Sequence, residues 1–313
     1  MSNNKKYDFS FNLSSLATYT DQVGGELIRK AILEGETAKI IKVQPGVVGS
    51  QAINLLNSNL VVQDGTCGWD ASGTTIYTQR NIQTCQYKVN ESLCPRDLTD
   101  YWVGQLLQPG DYNESVPFEE QISILKTQQI SQYCENLMWQ ASSASTCFSG
   151  FLELTNSATT ATTVTGGIIV PGQAPISSTS ALTQIDVLIE QIPDDVVNRT
   201  DWVVFMSHAN YRKYLINYRT ANYYHFNPEN SYEDFKTFHP ATNILVHPVG
   251  GLSGYNRVVL MPAGYAVLGV NLMSDAETLK MFYSADFDEV RLRSNFSLGV
   301  QLAWPEYVIT NGL

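Results

Sequence analysis

Hydrophobic and polar residues alternate along 289–304 more strictly than anywhere else in the chain. Val290, Leu292, Phe296, Leu298, Val300, Leu302 and Trp304 fall on one side, with Ser294 the only lapse. Glu289, Arg291, Arg293, Asn295, Ser297, Gly299, Gln301 and Ala303 fall on the other. Side chains of a strand point alternately to opposite faces, so this pattern predicts a strand with one packed side and one wet side. About 16 residues at ~3.3 Å each would reach roughly 50 Å, where an ordinary strand has ~5–6 residues. A ribbon of that length needs a long element beside it.

Pro117–Gln140 supplies one. Ser115 is placed to cap a helix, Pro117 suits its first turn, and Glu119 and Glu120 sit at the positive end of the helix dipole. Phe118, Ile122, Leu125, Ile130, Tyr133 and Leu137 recur at three- to five-residue steps as an apolar stripe. At ~1.5 Å per residue the helix spans roughly 36 Å.

Around these two elements the pattern changes by segment. Met1–Leu16 reads as an extended arm and Gln22–Glu34 as a helix weakened by Gly24–Gly25. Val43–Lys88 carries β-type runs at Leu60–Gln63 and Thr74–Thr78 between glycines, with Asp64–Gly65 as a turn. It is read as a long hairpin whose glycine-rich tip holds Trp69. Val89–Leu154 returns to a compact body, and Thr155–Ser180 is an uncharged loop with a short strand near Ile168–Val170. Helices at Leu182–Ile192 and Ala209–Arg219 alternate with strands at Asp201–Ser207, Ile244–His247, Arg257–Met261 and Tyr265–Val270. The domains are therefore read as an arm (1–42), a hairpin (43–88), a discontinuous body (89–154 with 272–313) and an insert (155–271).

Composition narrows the chemistry. The 313 residues carry a formal charge of −11, which argues against a general polyanion binder. Only 16% of residues are charged, below the usual ~25%, and the neutral polar surface that results suits large close-packed contacts. No apolar run is long enough for a membrane helix, and Met1–Ser15 has no apolar signal core. Cys67, Cys85, Cys94, Cys134 and Cys147 form no CxxC and no metal spacing with the four histidines, so reduced thiols are expected.

Catalytic motifs are missing: no P-loop, GxGxxG, HExxH or GxSxG occurs. Asp286, Asp288 and Glu289 read as a solvated turn, Asp194–Asp195 as the first turn of a short helix, and His208 as a turn histidine. No catalytic residue, cofactor or metal is assigned.

The order of arm, glycine-tipped hairpin, long helix, α/β insert and C-terminal ribbon resembles the major capsid proteins of tailed double-stranded-DNA bacteriophages, the Hong Kong 97-type fold. Pro117–Gln140 matches the family's spine helix, and Thr146–Leu154 its glycine-marked exit. Ala181–Thr220 matches the helix–strand–helix of the axial domain, and Ile244–Asn271 its strand pair. Met281–Ile309 matches the peripheral ribbon, with Pro305 before the last strand. The hairpin matches by position only.

The resemblance implies an α+β chain with N-terminal arm, extended loop, spine helix, peripheral domain and inserted axial domain. It implies a shell subunit that forms pentamers and hexamers around packaged double-stranded DNA, in a virion assembled in the host cytoplasm. A separate scaffolding protein is expected because the arm is short, with a portal, and with room for decoration proteins; no membrane is involved. The hairpin is expected to reach over a neighbour's helix and ribbon. Contact residues are expected at Trp69, Arg80, Tyr223, Tyr224, Phe226, Arg291 and Arg293, the two ribbon arginines facing either a neighbour's acids or DNA. Val43–Tyr87 holds no lysine, so the lysine–asparagine weld of some family members is not expected. A nanocompartment shell around a protein cargo shares the fold and is the alternative; an enzyme and a surface adhesin fit less well.

Overall fold

The computed structural model describes residues 27–59, 61–65, 67–69, 72–94, 118–155, 167–170, 173–221, 237–271, 279–287 and 289–312. Residues 1–26 of the expected arm, the Ser115 cap, Pro117 and the Tyr223–Phe226 cluster lie outside them. In chain order the strands are β1 (Lys42–Pro45), β2 (Ser50–Asn59), β3 (Thr74–Gln83), β4 (Cys85–Leu93), β5 (Gly167–Ile169), β6 (Trp202–Ser207), β7 (Thr237–Phe238), β8 (Leu245–Val249), β9 (Val259–Pro262), β10 (Ala266–Val270), β11 (Leu279–Ser284), β12 (Glu289–Leu302) and β13 (Val308–Thr310). The helices are α1 (27–33), α2 (Phe118–Gln140), α3 (Phe151–Leu154), α4 (Ala181–Ile189) and α5 (His208–Thr220).

Two compact units emerge. One comprises Met1–Leu33, Gln86–Ser131 and Leu272–Ser297; the other comprises Glu34–Cys85, Gln132–Asn271 and Leu298–Leu313. Both α2 and β12 begin in the first and end in the second.

In the first unit β11 and the start of β12 pair antiparallel, Leu279 opposite Ser294 and Ser284 opposite Glu289, and β4 also pairs with β12. Leu279, Met281, Val290, Leu292, Ser294 and Phe296 are buried on one face, as the alternation predicts. Tyr87 of β4 stacks on Phe296 at 5.6 Å, so it shares that face. Lys126 of α2 reaches Glu91 of β4 at 2.6 Å, which places helix side chains against the same face.

The apolar stripe expected on α2 is corrected. Leu125 and Tyr133 are exposed, while Ser123, Thr127, Ile130, Cys134, Leu137 and Met138 are buried. Small and hydroxylated side chains occupy the packed side early in the helix, and the Thr127 hydroxyl returns its hydrogen bond to the Ser123 carbonyl at 2.6 Å. A periodicity drawn from large apolar residues alone misses that face.

The second unit contains a six-stranded sheet in the order β5-β13-β9-β6-β8-β7. Every residue of β6 is buried, because both faces are covered. Trp202, Val204 and Met206 pack with Leu182, Ile185 and Leu188 of α4 and Tyr214 of α5. On the other face Phe205 meets Trp139, the second-last residue of α2, with ring centroids 5.4 Å apart. β10 pairs parallel with β1 and antiparallel with the end of β12, Val270 opposite Leu298.

The wet side expected along the whole long strand holds only for its first half. From Ser297 to Val300 β12 is buried on both faces. Gly299 explains this: a Cβ there would overlap the Gln83 carbonyl, so the β3 end crosses the strand at backbone distance. Trp304 lies beyond the strand and is only partly buried.

Candidate assembly surfaces

β2 and β3 form a two-stranded sheet, with no third strand among the described residues. The register runs from Ser50 opposite Gln83 to Asn59 opposite Thr74. The expected strand Leu60–Gln63 is corrected: among its described residues 61–63 carry no strand, and pairing instead extends down through Ser50–Asn59, a stretch without one charged side chain. The base is anchored, since Leu55 and Ile82 pack with Val47, Val267 and Ala303. Beyond Leu55 the ribbon is bare on both faces. Leu56 is 59% exposed and Tyr77, its direct partner, 78%. Ile76, Val62 and Trp69 are exposed too, Trp69 at 95%. An isolated two-stranded ribbon is marginal in water, and side-chain hydrogen bonds such as Gln79 to Asn54 at 2.9 Å do not bury its apolar atoms.

The outer face of the β4–β12–β11 sheet differs in charge. Lys280 stands directly opposite Arg293, and Phe282 opposite Arg291. Lys280 and Arg293 are exposed, and Arg291 is half-buried. The Arg291 guanidinium lies 4.5 Å from the centre of the exposed Phe287 ring, while Glu289 is only a loose partner at 3.8 Å.

A third arrangement fastens the turn before β1. Glu36 holds His208 Nε2 at 3.0 Å and accepts the Gly250 N–H at 2.6 Å, and its carbonyl faces His247 Nε2 at 3.2 Å. Thr37 donates both its N–H and its hydroxyl to Glu135, and its hydroxyl accepts from the Trp139 indole at 2.7 Å. Burial raises the Glu135 carboxyl above its ordinary range against the lowering pull of the Thr37 bonds. Burial likewise pushes the His247 imidazole below its ordinary value, against the raising pull of Glu36. His208, expected in a turn, is instead the first residue of α5, whose Ser207 caps it by accepting from the Asn210 N–H.

The expected contact residues therefore scatter. Trp69 is at the hairpin tip, Arg293 and Arg291 are on the sheet face, and Arg80 is half-buried on β3, its guanidinium lowered by burial. Lys280, Phe282 and Phe287 escaped the sequence reading because the β11–β12 register is not written in either strand alone. Cysteine pairing is a correction as well: Cys85 and Cys147 are joined as a disulfide with Cα atoms 5.8 Å apart, whereas Cys67 and Cys94 are exposed thiols. No group of metal-ligating residues occurs among the described residues, and no described helix is long and apolar enough to cross a membrane.

No protein-family model matches the sequence, and no curated protein does. Solved structures match in shape. The capsid of an empty GTA particle aligns with a TM-score of 0.56 at 12% identity, over 90% of this chain and 89% of that one. A chain from the satellite phage P4 procapsid, a particle that includes the size determination (Sid) protein, aligns at 0.53 and 11% identity, over 94% and 99%. The virus-like particle from Pyrococcus furiosus aligns at 0.54 and 12% identity, over 93% and 98%. Overlap this complete at identity this low establishes architecture. The chain has the α+β Hong Kong 97-type capsid fold.

Proposed function

We propose that this chain is the structural subunit of an icosahedral phage shell, which forms pentamers and hexamers and encloses double-stranded DNA. The observation that carries the reading is the β2–β3 ribbon: ten paired residues per strand, anchored at one end and bare on both faces beyond Leu55. On a capsid fold, such a ribbon is completed by another copy of the same chain. Leu56, Ile76, Tyr77 and Trp69 supply the apolar surface for that contact, and many such weak contacts add up through multivalency.

In the terms of the fold, 1–42 is the arm, 43–88 the extended loop, 89–154 with 272–313 the peripheral domain and 155–271 the axial domain. Tyr223, Tyr224 and Phe226 lie near the capsomer axis on this reading, and Arg80, Arg291 and Arg293 lie at subunit contacts. A separate scaffolding protein and a portal complete the particle, which assembles in the host cytoplasm. The subunit does no chemistry. A nanocompartment shell is the less favoured alternative, because the GTA and P4 neighbours are capsids of the phage type.

Negative-stain electron microscopy of the purified chain, with and without a co-expressed scaffolding protein, tests the proposal. Closed uniform shells, or rings of five and six, are expected. A monomer under both conditions, at concentrations where related shells form, would sink it. Shells isolated with protein inside and no DNA would move the reading to the nanocompartment.

A further inference from the structure

The β4–β12–β11 sheet has two unlike faces. The inner one carries Tyr87, Glu91, Leu292 and Phe296 and receives Lys126 of α2. The outer one follows by alternation: Lys88 on β4, Lys280 and Phe282 on β11, Arg291 and Arg293 on β12. Lys88, Lys280, Phe282 and Arg293 are exposed. Four cations thus share one face of a chain that has 30 acidic and only 19 basic residues. Among the described residues on these strands the face holds a single carboxylate, Glu289.

Lys280 and Arg293 face each other directly across the antiparallel pair. Like charges in that position repel, so an external carboxylate would be bound more favourably here than at a neutral site. Phe282 is 43% exposed and Phe287 65%, and Phe287 carries the Arg291 guanidinium on its ring. Aromatic rings beside arginine are the composition of protein-contact centres. The phosphate backbone of a duplex makes no use of exposed apolar rings, and a net charge of −11 repels a polyanion at long range.

We infer that this cationic, aromatic face is a docking surface for an acidic surface of a second copy of the chain. The inference rests on the shell reading and adds the chemistry of one of its contacts: ionic, salt-sensitive, and centred on Lys280 and Arg293. The excess of acid elsewhere on the chain supplies the complementary charge.

The experiment uses the full chain and compares wild type with Lys280→Glu/Arg293→Glu, following assembly by light scattering at low and at high salt. Wild-type assembly is expected to weaken as salt rises. The reversed variant should need roughly tenfold more protein to assemble at low salt and lose the salt dependence. Its thermal melt should match wild type, since both side chains are exposed and their mutual repulsion remains. Lys280→Arg/Arg293→Lys should assemble normally. Wild-type assembly unaltered by the reversal would overturn this inference while leaving the shell reading intact. A chain that forms no assembly in any form would overturn both. A duplex DNA fragment that binds the unassembled wild type but not the reversed variant, with assembly unchanged, would also overturn it and assign the face to nucleic acid.

Discussion

The indole N–H of Trp139 donates to the hydroxyl of Thr37 at 2.7 Å, and that same hydroxyl donates to Glu135 one helical turn earlier. Thr37 is fully buried, so this short relay fixes the turn before β1 to the last two turns of α2. On the far side of the turn Glu36 binds the Gly250 N–H and His208. Two adjacent residues thus hold the chain as it enters the strand below the hairpin.

Glu135 should give this clasp a pH dependence of definite sign. Burial raises its carboxyl above the ordinary value of 4.5, because the charged form loses solvation. For an acid raised in the folded state, folded protein holds more protons than unfolded protein between the two values. Its stabilising contribution is present at acid pH and is lost as pH rises through the raised value. Urea unfolding of wild type and Glu135→Gln, followed from about pH 4.5 to neutrality, should show wild type losing stability relative to the variant as pH increases. A wild type that gains stability relative to the variant as pH rises would contradict the burial argument.

Thr37→Val removes the hydroxyl and keeps the shape. It leaves the Trp139 indole N–H without its acceptor and deprives Glu135 of one donor. An unsatisfied buried group costs about 1–3 kcal/mol, so the unfolding free energy should fall by that amount, read as a lower urea midpoint at constant slope. Thr37→Ser retains both bonds and should recover most of the loss. A Thr37→Val variant as stable as wild type would show that the hydroxyl relay does not hold the turn.

Much of this architecture was legible because it is periodic. The alternation of Val290, Leu292 and Phe296 states a buried face outright, and the helix expected at Leu182–Ile192 and the strand at Asp201–Ser207 both occur. The relay was not legible, since Thr37 and Glu135 lie 98 residues apart and neither belongs to a pattern. Burial of Ser123 and Thr127 contradicts the polarity that sequence reasoning relies on. The cationic face needed the pairing of Lys280 with Arg293, a relationship between strands. The second hairpin strand, expected at Thr74–Thr78, falls within β3, but the first was misplaced because Ser50–Asn59 owes its extended form to its partner strand more than to strong β-formers of its own.

Thiol chemistry separates the five cysteines. Cys85 and Cys147 are paired, Cys67 and Cys94 are exposed, and Cys134 is buried. A thiol reagent added to the folded, non-reduced protein should modify Cys67 and Cys94 rapidly and Cys134 only after unfolding. Modification of Cys85 or Cys147 requires prior reduction. Because the bond closes a separation of 62 residues, reducing it should lower stability by about 2–4 kcal/mol. Peptide mapping that finds Cys85 or Cys147 labelled without reductant would refute the pairing.

Assembly and folding should part company along the hairpin. Ile82 is fully buried at its base, packed with Leu55, Val47 and Val267. Ile82→Ala should destabilise the folded subunit by about 2–5 kcal/mol, since it opens a cavity that backbone pairing prevents from closing. Trp69 at the tip is 95% exposed and touches no core. Trp69→Ala should leave the urea midpoint unchanged. If the ring inserts into a neighbouring copy, its loss removes a central apolar anchor worth about 2 kcal/mol or more. At about 1.4 kcal/mol per factor of ten, the threshold concentration for assembly should rise roughly thirtyfold. Sedimentation velocity across a concentration series reads that threshold directly. A Trp69→Ala chain that assembles at the wild-type threshold would show that the bare tip is not where copies meet, and the contact would then have to lie lower on the ribbon, at Leu56 and Tyr77.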